Sequence, residues 1–208
     1  MPPVSLLLGA LDYIGVFVFA ATGALAAAQK KHDIITFAFF AAVTGTGGGT
    51  LRDLLIDAPV FWVKDPGYLL ACGAATIAVW LFGVQLARMR ALLWLDAAGL
   101  AAYCVIGAAK ALAFGVAAPV AVVMGVLTAC FGGIIRDVLA GEPSILLRRE
   151  IYATAALAGA SVFVVADAMA LPESVALGAG IAAAFAVRAG AIVWRWTLPG
   201  FRDGPAKS

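Results

Sequence analysis

Apolar residues run along this chain in seven stretches, each long enough for a helix to cross a lipid bilayer. A hydrocarbon core about 30 Å thick needs roughly 20 residues of helix. Stretches of about that length lie at 8–29, 34–57, 67–87, 92–113, 117–140, 149–170 and 174–197. The separators between them carry charged residues, proline and glycine, which end apolar helices. The pattern predicts an all-α polytopic membrane protein with seven transmembrane helices.

The composition agrees with a chain whose main partner is the lipid bilayer. Hydrophobic residues make up 64% of the sequence and charged residues 12%, with a mean hydropathy of +1.03, whereas a soluble domain carries about 25% charged residues. The formal net charge is only +2, and no basic run suggests a nucleic-acid partner. The three cysteines, Cys72, Cys104 and Cys130, lie in apolar runs, so we expect buried thiols rather than disulfides.

Lysine and arginine are concentrated in the separators on one side of the predicted membrane. The opposite loops hold Lys64, with Lys110 near that end of its helix. Because cytoplasmic loops carry the excess of basic residues, this bias predicts a cytoplasmic C-terminus and an N-terminus outside. The basic residues on the side of the C-terminus are Lys30, Lys31, Arg88, Arg90, Arg148, Arg149, Arg195, Arg202 and Lys207.

The two halves of the chain match each other without gaps at an offset of 84 residues, the separation of Asp12 from Asp96. The other matched pairs include Gly15 with Gly99, Gly23 with Gly107, Thr44 with Thr128, Arg52-Asp53 with Arg136-Asp137, and Tyr68 with Tyr152. A unit of three spans is odd, so two consecutive units enter the membrane from opposite sides. The sequence predicts a first repeat at 1–90, an inverted repeat at 91–172, and a last helix with a short cytoplasmic tail at 173–208. Inverted repeats of this kind are typical of a transport pathway between the halves.

The second span of each repeat carries glycines followed by an Arg-Asp pair. Glycine costs about 1 kcal/mol relative to alanine inside a helix, so we expect these helices to be broken at Gly47–Gly49 and at Gly132-Gly133. Carbonyls freed at a break are suited to alkali cations, which predicts transient potassium sites there. The motif residues either line or gate a pathway or only lock closely crossing helices. They are Thr44, Gly47, Gly48, Gly49, Arg52, Asp53, Thr128, Gly132, Gly133, Arg136 and Asp137.

The arginines of the two motifs are expected to face the protein interior. An arginine at the centre of a lipid-facing helix costs at least about 2.5–3.5 kcal/mol on insertion scales. Neighbouring residues on a helix point in different directions, so the two-fold relation suggests crossed pairs, Arg52 with Asp137 and Arg136 with Asp53. Arg188, in the last span, is expected to face the protein or the cytoplasmic side.

Three other charged residues have two interpretations each. Asp12 and Asp96 are expected in the first turns of their helices, where a carboxylate either favours the helix dipole or lines an ion-attracting vestibule. Lys110 either extends its ammonium group to the interface or faces the pathway.

The sequence offers no chemistry typical of an enzyme. The glycine-rich segment lacks the Lys-Ser/Thr of a phosphate loop, and the one histidine, His32, lies in a charged separator. No cysteine pair has metal-binding spacing. We expect no catalytic residues, no bound metal centre and no cofactor.

The two GG-x-x-RD units, the inverted repeat and the seventh helix resemble the prokaryotic branch of the trimeric intracellular cation (TRIC) channel family, which is also labelled the glycine-transporter-domain family. The resemblance covers about residues 5–197. It implies a homotrimer in the prokaryotic plasma (inner) membrane, with a pore in each protomer between the two repeats. It also implies permeation of potassium and other monovalent cations such as sodium, with Arg52, Asp53, Arg136 and Asp137 along or beside the pore. Because arginines repel cations, they fit a gate better than a wide cation funnel.

Two other function classes are compatible with the same residues. A secondary transporter for a small zwitterion such as glycine would hold the substrate carboxylate with arginine and positive helix ends. A structural membrane scaffold would explain the buried charges, but it would not explain the duplicated glycine motifs.

Overall fold

The computed structural model describes residues 6–88, 91–145 and 151–198 of the 208-residue chain. Eight α-helices account for most of these residues. They are α1 (Leu6–Gln29), α2 (Ile34–Leu55), α3 (Phe61–Lys64), α4 (Gly67–Arg88), α5 (Ala91–Ala113), α6 (Ala118–Leu139), α7 (Ala153–Ala168) and α8 (Glu173–Trp194).

Seven of these helices coincide with the seven apolar stretches. Among the described residues, α1, α2, α5, α6 and α8 are long and apolar enough to cross a membrane, and α4 and α7 contain shorter apolar segments. The prediction of an all-helical membrane protein is confirmed. The short helix α3 was not predicted, because its sequence lies in a separator that contains charge and proline.

Helix ends follow from local chemistry at several positions. The Asp33 carboxylate precedes α2 and accepts a hydrogen bond from the Thr36 backbone N–H at 2.8 Å. That bond lowers the pKa of Asp33, because it favours the charged carboxylate. After α5 and after α6 the chain turns at Gly115 and Gly141, both with positive φ, where glycine has no steric penalty.

Helices α1 and α5 form the centre of the molecule. Helix α1 packs against α2, α4 and α5, and α5 packs against α6, α7 and α8. At the contact between them, Gly15 lies against the ring of Tyr103 and Gly99 lies against the ring of Phe19. Both pairs are related by the offset of the self-match, so equivalent glycines make room for equivalent aromatic rings.

Several residues of the predicted charge bias lie outside the described residues. They are Arg90, Arg148, Arg149, Arg202 and Lys207, and the start of the stretch predicted at 149–170 lies there too.

The three cysteines are free and buried, as expected.

Candidate functional site

The glycine motifs lie where α2 crosses α6. A Cβ added at Gly48 would overlap the backbone carbonyl oxygen of Thr128. A Cβ added at Gly132 would lie 2.5 Å from the backbone carbonyl oxygen of Thr44. The threonine four residues before each crossing glycine thus meets the crossing glycine of the other helix. Small residues of this kind allow helix backbones to approach closely.

The prediction that these helices are broken at the glycines is wrong. Helix α2 continues from Ile34 to Leu55 and α6 from Ala118 to Leu139. In a continuous α-helix each carbonyl accepts a hydrogen bond from the residue four positions later, so the glycines free no run of carbonyls to coordinate potassium. Glycine at these positions lowers the stability of the helix, and what it provides in return is the close approach of α2 and α6 rather than a break in either helix.

Just beyond the crossing on α2 lies the first charged cluster, which we call the Asp53 cluster (Arg52, Asp53 and Lys110). Arg52 Nε donates to Asp53 Oδ1 at 2.8 Å, and Lys110 Nζ lies 2.8 Å from the same oxygen. Asp53 Oδ2 accepts the backbone N–H of Phe61 at 3.0 Å, at the start of α3. Arg52 and Asp53 are fully buried, whereas the Lys110 side chain is partly exposed. This buried carboxylate therefore balances two cations.

The Arg52 guanidinium is only partly satisfied. Its Nη1 and Nη2 are buried and find no hydrogen-bond acceptor in the described part of the chain. Its central carbon and Lys110 Nζ each lie 5.9 Å from the centre of the Phe61 ring, a distance at which a ring face attracts a cation. The cluster holds two cations and one anion, so its formal charge is positive.

Beyond the crossing on α6 lies the second cluster, which we call the Asp96 cluster (Asp96, Arg136 and Asp137). Arg136 Nη1 donates to Asp96 Oδ1 at 2.6 Å, and Nη2 donates to Asp137 Oδ1 at 2.8 Å. Asp137 Oδ2 accepts the backbone N–H of Ile145 at 2.8 Å, which repeats the contact of Asp53 with Phe61. With one cation and two anions, this cluster has a negative formal charge.

The predicted crossed pairs are wrong, since each arginine pairs with the aspartate that follows it. The contacts of Gly48 with Thr128 and of Thr44 with Gly132 run in opposite directions along the two helices, so α2 and α6 are antiparallel. Arg52 and Arg136 each lie four residues beyond a crossing glycine, about 6 Å along the axis. The two pairs therefore lie on opposite sides of the crossing.

A cavity of about 350 Å³ opens beside the Asp53 cluster, and both Asp12 and Lys110 line it. Asp12 Oδ2 accepts a hydrogen bond from the Tyr68 hydroxyl at 3.1 Å. The Tyr68 ring stacks on that of Tyr13 with the centroids 4.1 Å apart. The vestibule interpretation of Asp12 and the pathway-facing interpretation of Lys110 thus agree with this geometry.

The prediction that Asp12 and Asp96 cap their helices is wrong. The described helices begin at Leu6 and Ala91, and neither has an acidic residue in its first turn. Asp96 does not share the cavity with Asp12 and instead binds Arg136 in the other cluster.

Four site residues were missed in the sequence: Tyr13, Asp65, Phe61 and Thr22. Tyr13 donates a hydrogen bond to Asp65 Oδ2 at 2.5 Å, and both residues line the cavity. This bond lowers the pKa of Asp65, which lies in a loop. Thr22 Oγ1 lies 3.2 Å from Arg136 Nη1, which donates to it. Neither Thr22 nor Tyr13 belongs to a repeated motif, so no signal in the sequence marked them.

The last predicted arginine, Arg188, is buried and faces the protein, as expected. Its guanidinium lies 5.1 Å from the centre of the Tyr152 ring, and Nη1 donates to the Ile151 carbonyl at 3.0 Å.

The sequence of this chain matches the model of one protein family twice. The family is described as Glycine transporter, and the matches cover residues 9–83 and 93–168. The chain is 43% identical to a UPF0126 membrane protein of Vibrio cholerae, over 94% of this chain and 83% of that protein. It is 40% identical to the UPF0126 inner membrane protein YadS of Escherichia coli K12, over 92% of this chain and 94% of that protein.

Solved structures give the same fold. The TRIC trimeric intracellular cation channel orthologue from Rhodobacter sphaeroides is 49% identical, with a TM-score of 0.89 over 92% of this chain and 100% of that chain. A structure described as the basis for conductance through TRIC cation channels is 32% identical, with a TM-score of 0.83 over 95% of this chain and 98% of that chain.

Proposed function

This chain belongs to the trimeric intracellular cation channel family, and from that premise we propose that it is a cation channel that conducts potassium. The observation that carries the proposal is the likeness to the Rhodobacter sphaeroides channel at 49% identity over nearly the whole chain. The closely related proteins are membrane or inner membrane proteins. We extend this to a homotrimer in the prokaryotic inner membrane, with the N-terminus outside and the C-terminus in the cytoplasm.

The proposed pore runs within each protomer between two inverted repeats of three spans, with α8 as the seventh span. Two observations support the inverted repeat. The family model matches twice, in ranges that begin at the spacing of the self-match. The glycine contacts at the crossing come in an equivalent pair, Gly48 with Thr128 and Gly132 with Thr44. The repeat boundaries at 90 and 172 remain a prediction.

In this proposal the α2–α6 crossing is the closed gate of the pore. The Asp53 cluster lies on one side of it and the Asp96 cluster on the other, and the backbones at the crossing leave no room for even a methyl group at Gly48. A cation passes only when the two helices separate. The carboxylates then attract it, because groups of opposite charge act strongly where water is scarce.

The two ends of the proposed path differ in charge. A cation that enters through the cavity passes both the Asp12 carboxylate and the ammonium group of Lys110, and the ammonium group raises the local potential. At the other end the two carboxylates of the Asp96 cluster outnumber the single arginine. We infer that the Asp96 cluster holds a permeant potassium or sodium ion better than the Asp53 cluster does.

One observation favours a second candidate, a carrier of a small zwitterion such as glycine. The 350 Å³ cavity presents Lys110 together with the carboxylates of Asp12 and Asp65. A zwitterion needs a cation for its carboxylate and an anion for its ammonium group, and this cavity offers both within one space.

A flux assay separates the two candidates. Full-length protein in liposomes is expected to release potassium down its gradient in the absence of any substrate, with Asp12→Asn slowing the flux. Asp167→Asn is the matched control, because Asp167 is exposed and lies outside that cavity. Saturable uptake of labelled glycine without potassium flux would reject the channel and support the carrier.

A further inference from the structure

Each half of the chain contains an aspartate, a tyrosine and an arginine at matched positions, but the two halves bond them differently. At the offset of 84 residues the matched trios are Asp12, Tyr68 and Arg52 in the first half and Asp96, Tyr152 and Arg136 in the second. In the first half the Asp12 carboxylate accepts a hydrogen bond from the Tyr68 hydroxyl at 3.1 Å. In the second half the Asp96 carboxylate accepts one from Arg136 Nη1 at 2.6 Å instead. The aspartate thus binds the tyrosine in one half and the arginine in the other.

The atoms left unbonded in each half are the equivalents of those that bond in the other half. In the first half the second oxygen of Asp12 and Nη1 of Arg52 are buried and have no hydrogen-bond partner among the described residues. In the second half the same holds for the second oxygen of Asp96 and the Tyr152 hydroxyl. A buried polar group without a partner is costly. Each half therefore lacks the one hydrogen bond that its counterpart makes.

In the second half the three side chains meet at Gly133. A Cβ added at this glycine would lie 2.9 Å from the Tyr152 hydroxyl, 3.5 Å from Asp96 Oδ1 and 3.6 Å from Arg136 Nη2. The tyrosine and the arginine thus approach the same aspartate from one place. A small movement of the Asp96 carboxylate is enough to pass from one partner to the other.

In the first half the Phe61 ring fills the equivalent place. The atoms nearest to a Cβ added at Gly49, which matches Gly133, all belong to this ring, the first at 2.6 Å. The ring also packs edge-on against Tyr68, with the centroids 4.7 Å apart, and lies 5.9 Å from the central carbon of the Arg52 guanidinium. The second half has Ile145 at the position of Phe61. The ring therefore prevents the first trio from meeting as the second trio does.

From this correspondence we propose that the two halves hold the two states of one switch, and that the protein has a second conformation in which the states are exchanged. In that conformation the Phe61 ring leaves Gly49, Asp12 binds Arg52, and Asp96 binds Tyr152. Both conformations make one bond from aspartate to tyrosine and one from aspartate to arginine. They therefore differ little in hydrogen bonding, and a small difference in free energy is what a two-state element requires.

The exchange changes which end of the molecule offers a carboxylate without an arginine. Asp12 lines the 350 Å³ cavity and is free of arginine in the conformation described above, whereas Asp96 is held by Arg136. After the exchange, Arg52 neutralises Asp12, and Arg136 keeps only Asp137. Its consequence for cations rests on the proposed function, but the exchange itself does not, and the test below measures no transport.

Fluorine NMR of the full chain in detergent tests the exchange. The probe is 3-fluorotyrosine, because its resonance responds to hydrogen bonding of the hydroxyl. It labels the four tyrosines, which single changes to phenylalanine assign: Tyr13, Tyr68, Tyr103 and Tyr152. We expect saturation transfer to reveal a second state for Tyr68 and for Tyr152, with equal populations. Absence of a second state in both the unaltered protein and Phe61→Ile would show that the asymmetry is fixed and overturn the proposal.

Phe61→Ile gives the first half the residue of the second half and clears Gly49. It is expected to raise the population of the second state at both tyrosines. Because Phe61 packs directly on Tyr68, the deciding signal is that of Tyr152 in the other half. Phe114→Ile is the matched control, since Phe114 lines the same cavity but contributes none of the atoms nearest to Gly49. If the Tyr152 signal is the same in the two variants, the halves are not coupled and the proposal is wrong.

Tyr152→Phe provides a test in the opposite direction. It removes a hydroxyl that has no hydrogen-bond partner among the described residues, so a purely structural role predicts no effect on Tyr68. The exchange predicts that the second state of Tyr68 becomes about fivefold less populated, because that state loses one hydrogen bond. An unchanged Tyr68 population would overturn the proposal. Thermal unfolding in detergent verifies that each variant folds.

Discussion

Gly48→Ala tests the helix crossing most sharply, because the same change at the neighbouring Gly47 meets a movable side chain instead of a helix backbone. A Cβ at Gly48 would overlap the Thr128 carbonyl oxygen, which belongs to the backbone of α6. A Cβ at Gly47 meets only the terminal Cδ1 of Ile135, at 2.9 Å. The first neighbour cannot move without shifting a helix, whereas the second can rotate away.

The expected magnitudes follow from two opposing effects. Alanine improves helix propensity by about 1 kcal/mol at either position. Overpacking costs about 1–3 kcal/mol and occasionally more, and the upper end applies at Gly48 because the obstacle is backbone. We expect Gly48→Ala to lose at least about 2 kcal/mol in the free energy of unfolding. Gly47→Ala is expected to stay within about 1 kcal/mol of the unaltered protein.

Reversible unfolding in mixed detergent micelles, followed by helical circular dichroism, measures both variants on one scale. Gly132→Ala, at the equivalent position, is expected to behave like Gly48→Ala because it meets the Thr44 carbonyl oxygen. If Gly48→Ala is as stable as Gly47→Ala, close approach is not the reason for glycine at that position, and the account of the crossing is refuted.

Three further predictions concern the charged groups. Asp53→Asn leaves two cations without their carboxylate and is expected to lower the free energy of unfolding by about 3–5 kcal/mol in unfolding titrations. Asp137→Asn is expected to lower it clearly less, because Arg136 keeps its bond to Asp96. Equal losses in the two variants would contradict the assigned pairs. Lys110→Met removes a positive charge beside the cavity and is expected to raise unitary cation current; an unchanged current would place Lys110 outside the path. The pKa of Asp65 is lowered mainly by the Tyr13 hydrogen bond, so the stabilisation of the fold by this charged carboxylate is present at neutral pH and is lost as the pH falls below about 4. When thermal unfolding is measured from pH 7 to pH 3, the unfolding temperature of Asp65→Asn is expected to fall less steeply with pH than that of the unaltered protein. Identical slopes would disprove the contribution of Asp65.

The sequence was sufficient to predict the helices and the residues that matter at the crossing. Apolar length alone marks helices of this kind, because each must be long enough for the bilayer. The self-match then identified Gly48 and Gly132 as equivalent before any contact was known. The self-match did not reveal the role of these two glycines. Glycine destabilises its own helix, which is a local effect that the sequence shows, whereas its benefit is the close approach of another helix, which the sequence does not show.

The pairing of the charged side chains could not be predicted from the sequence for a different reason. Symmetry suggested that Arg52 and Asp137 meet, but the antiparallel crossing carries them apart. Lys110 binds Asp53, whereas the position that matches Lys110 in the first repeat is Ala26. The repeat alone does not predict this ion pair, because the equivalent pair, Ala26 with Asp137, contains no lysine.

The wrong prediction of helix caps has a similar origin. Asp12 and Asp96 were placed in first turns because the apolar stretches were taken to begin only a few residues earlier. The described helices start one or two residues sooner, at Leu6 and Ala91, so neither carboxylate lies in a first turn. Boundaries of a few residues decided the interpretation of both carboxylates.

Single-channel recording in planar bilayers with asymmetric potassium chloride distinguishes a cation channel from the other function classes. A cation channel is expected to give unitary currents whose reversal potential shifts towards the potassium equilibrium potential, with a larger current for Lys110→Met than for the unaltered protein. A reversal potential that shifts towards the chloride equilibrium potential, or bilayers that stay silent with protein shown to be folded and inserted, would contradict a cation channel.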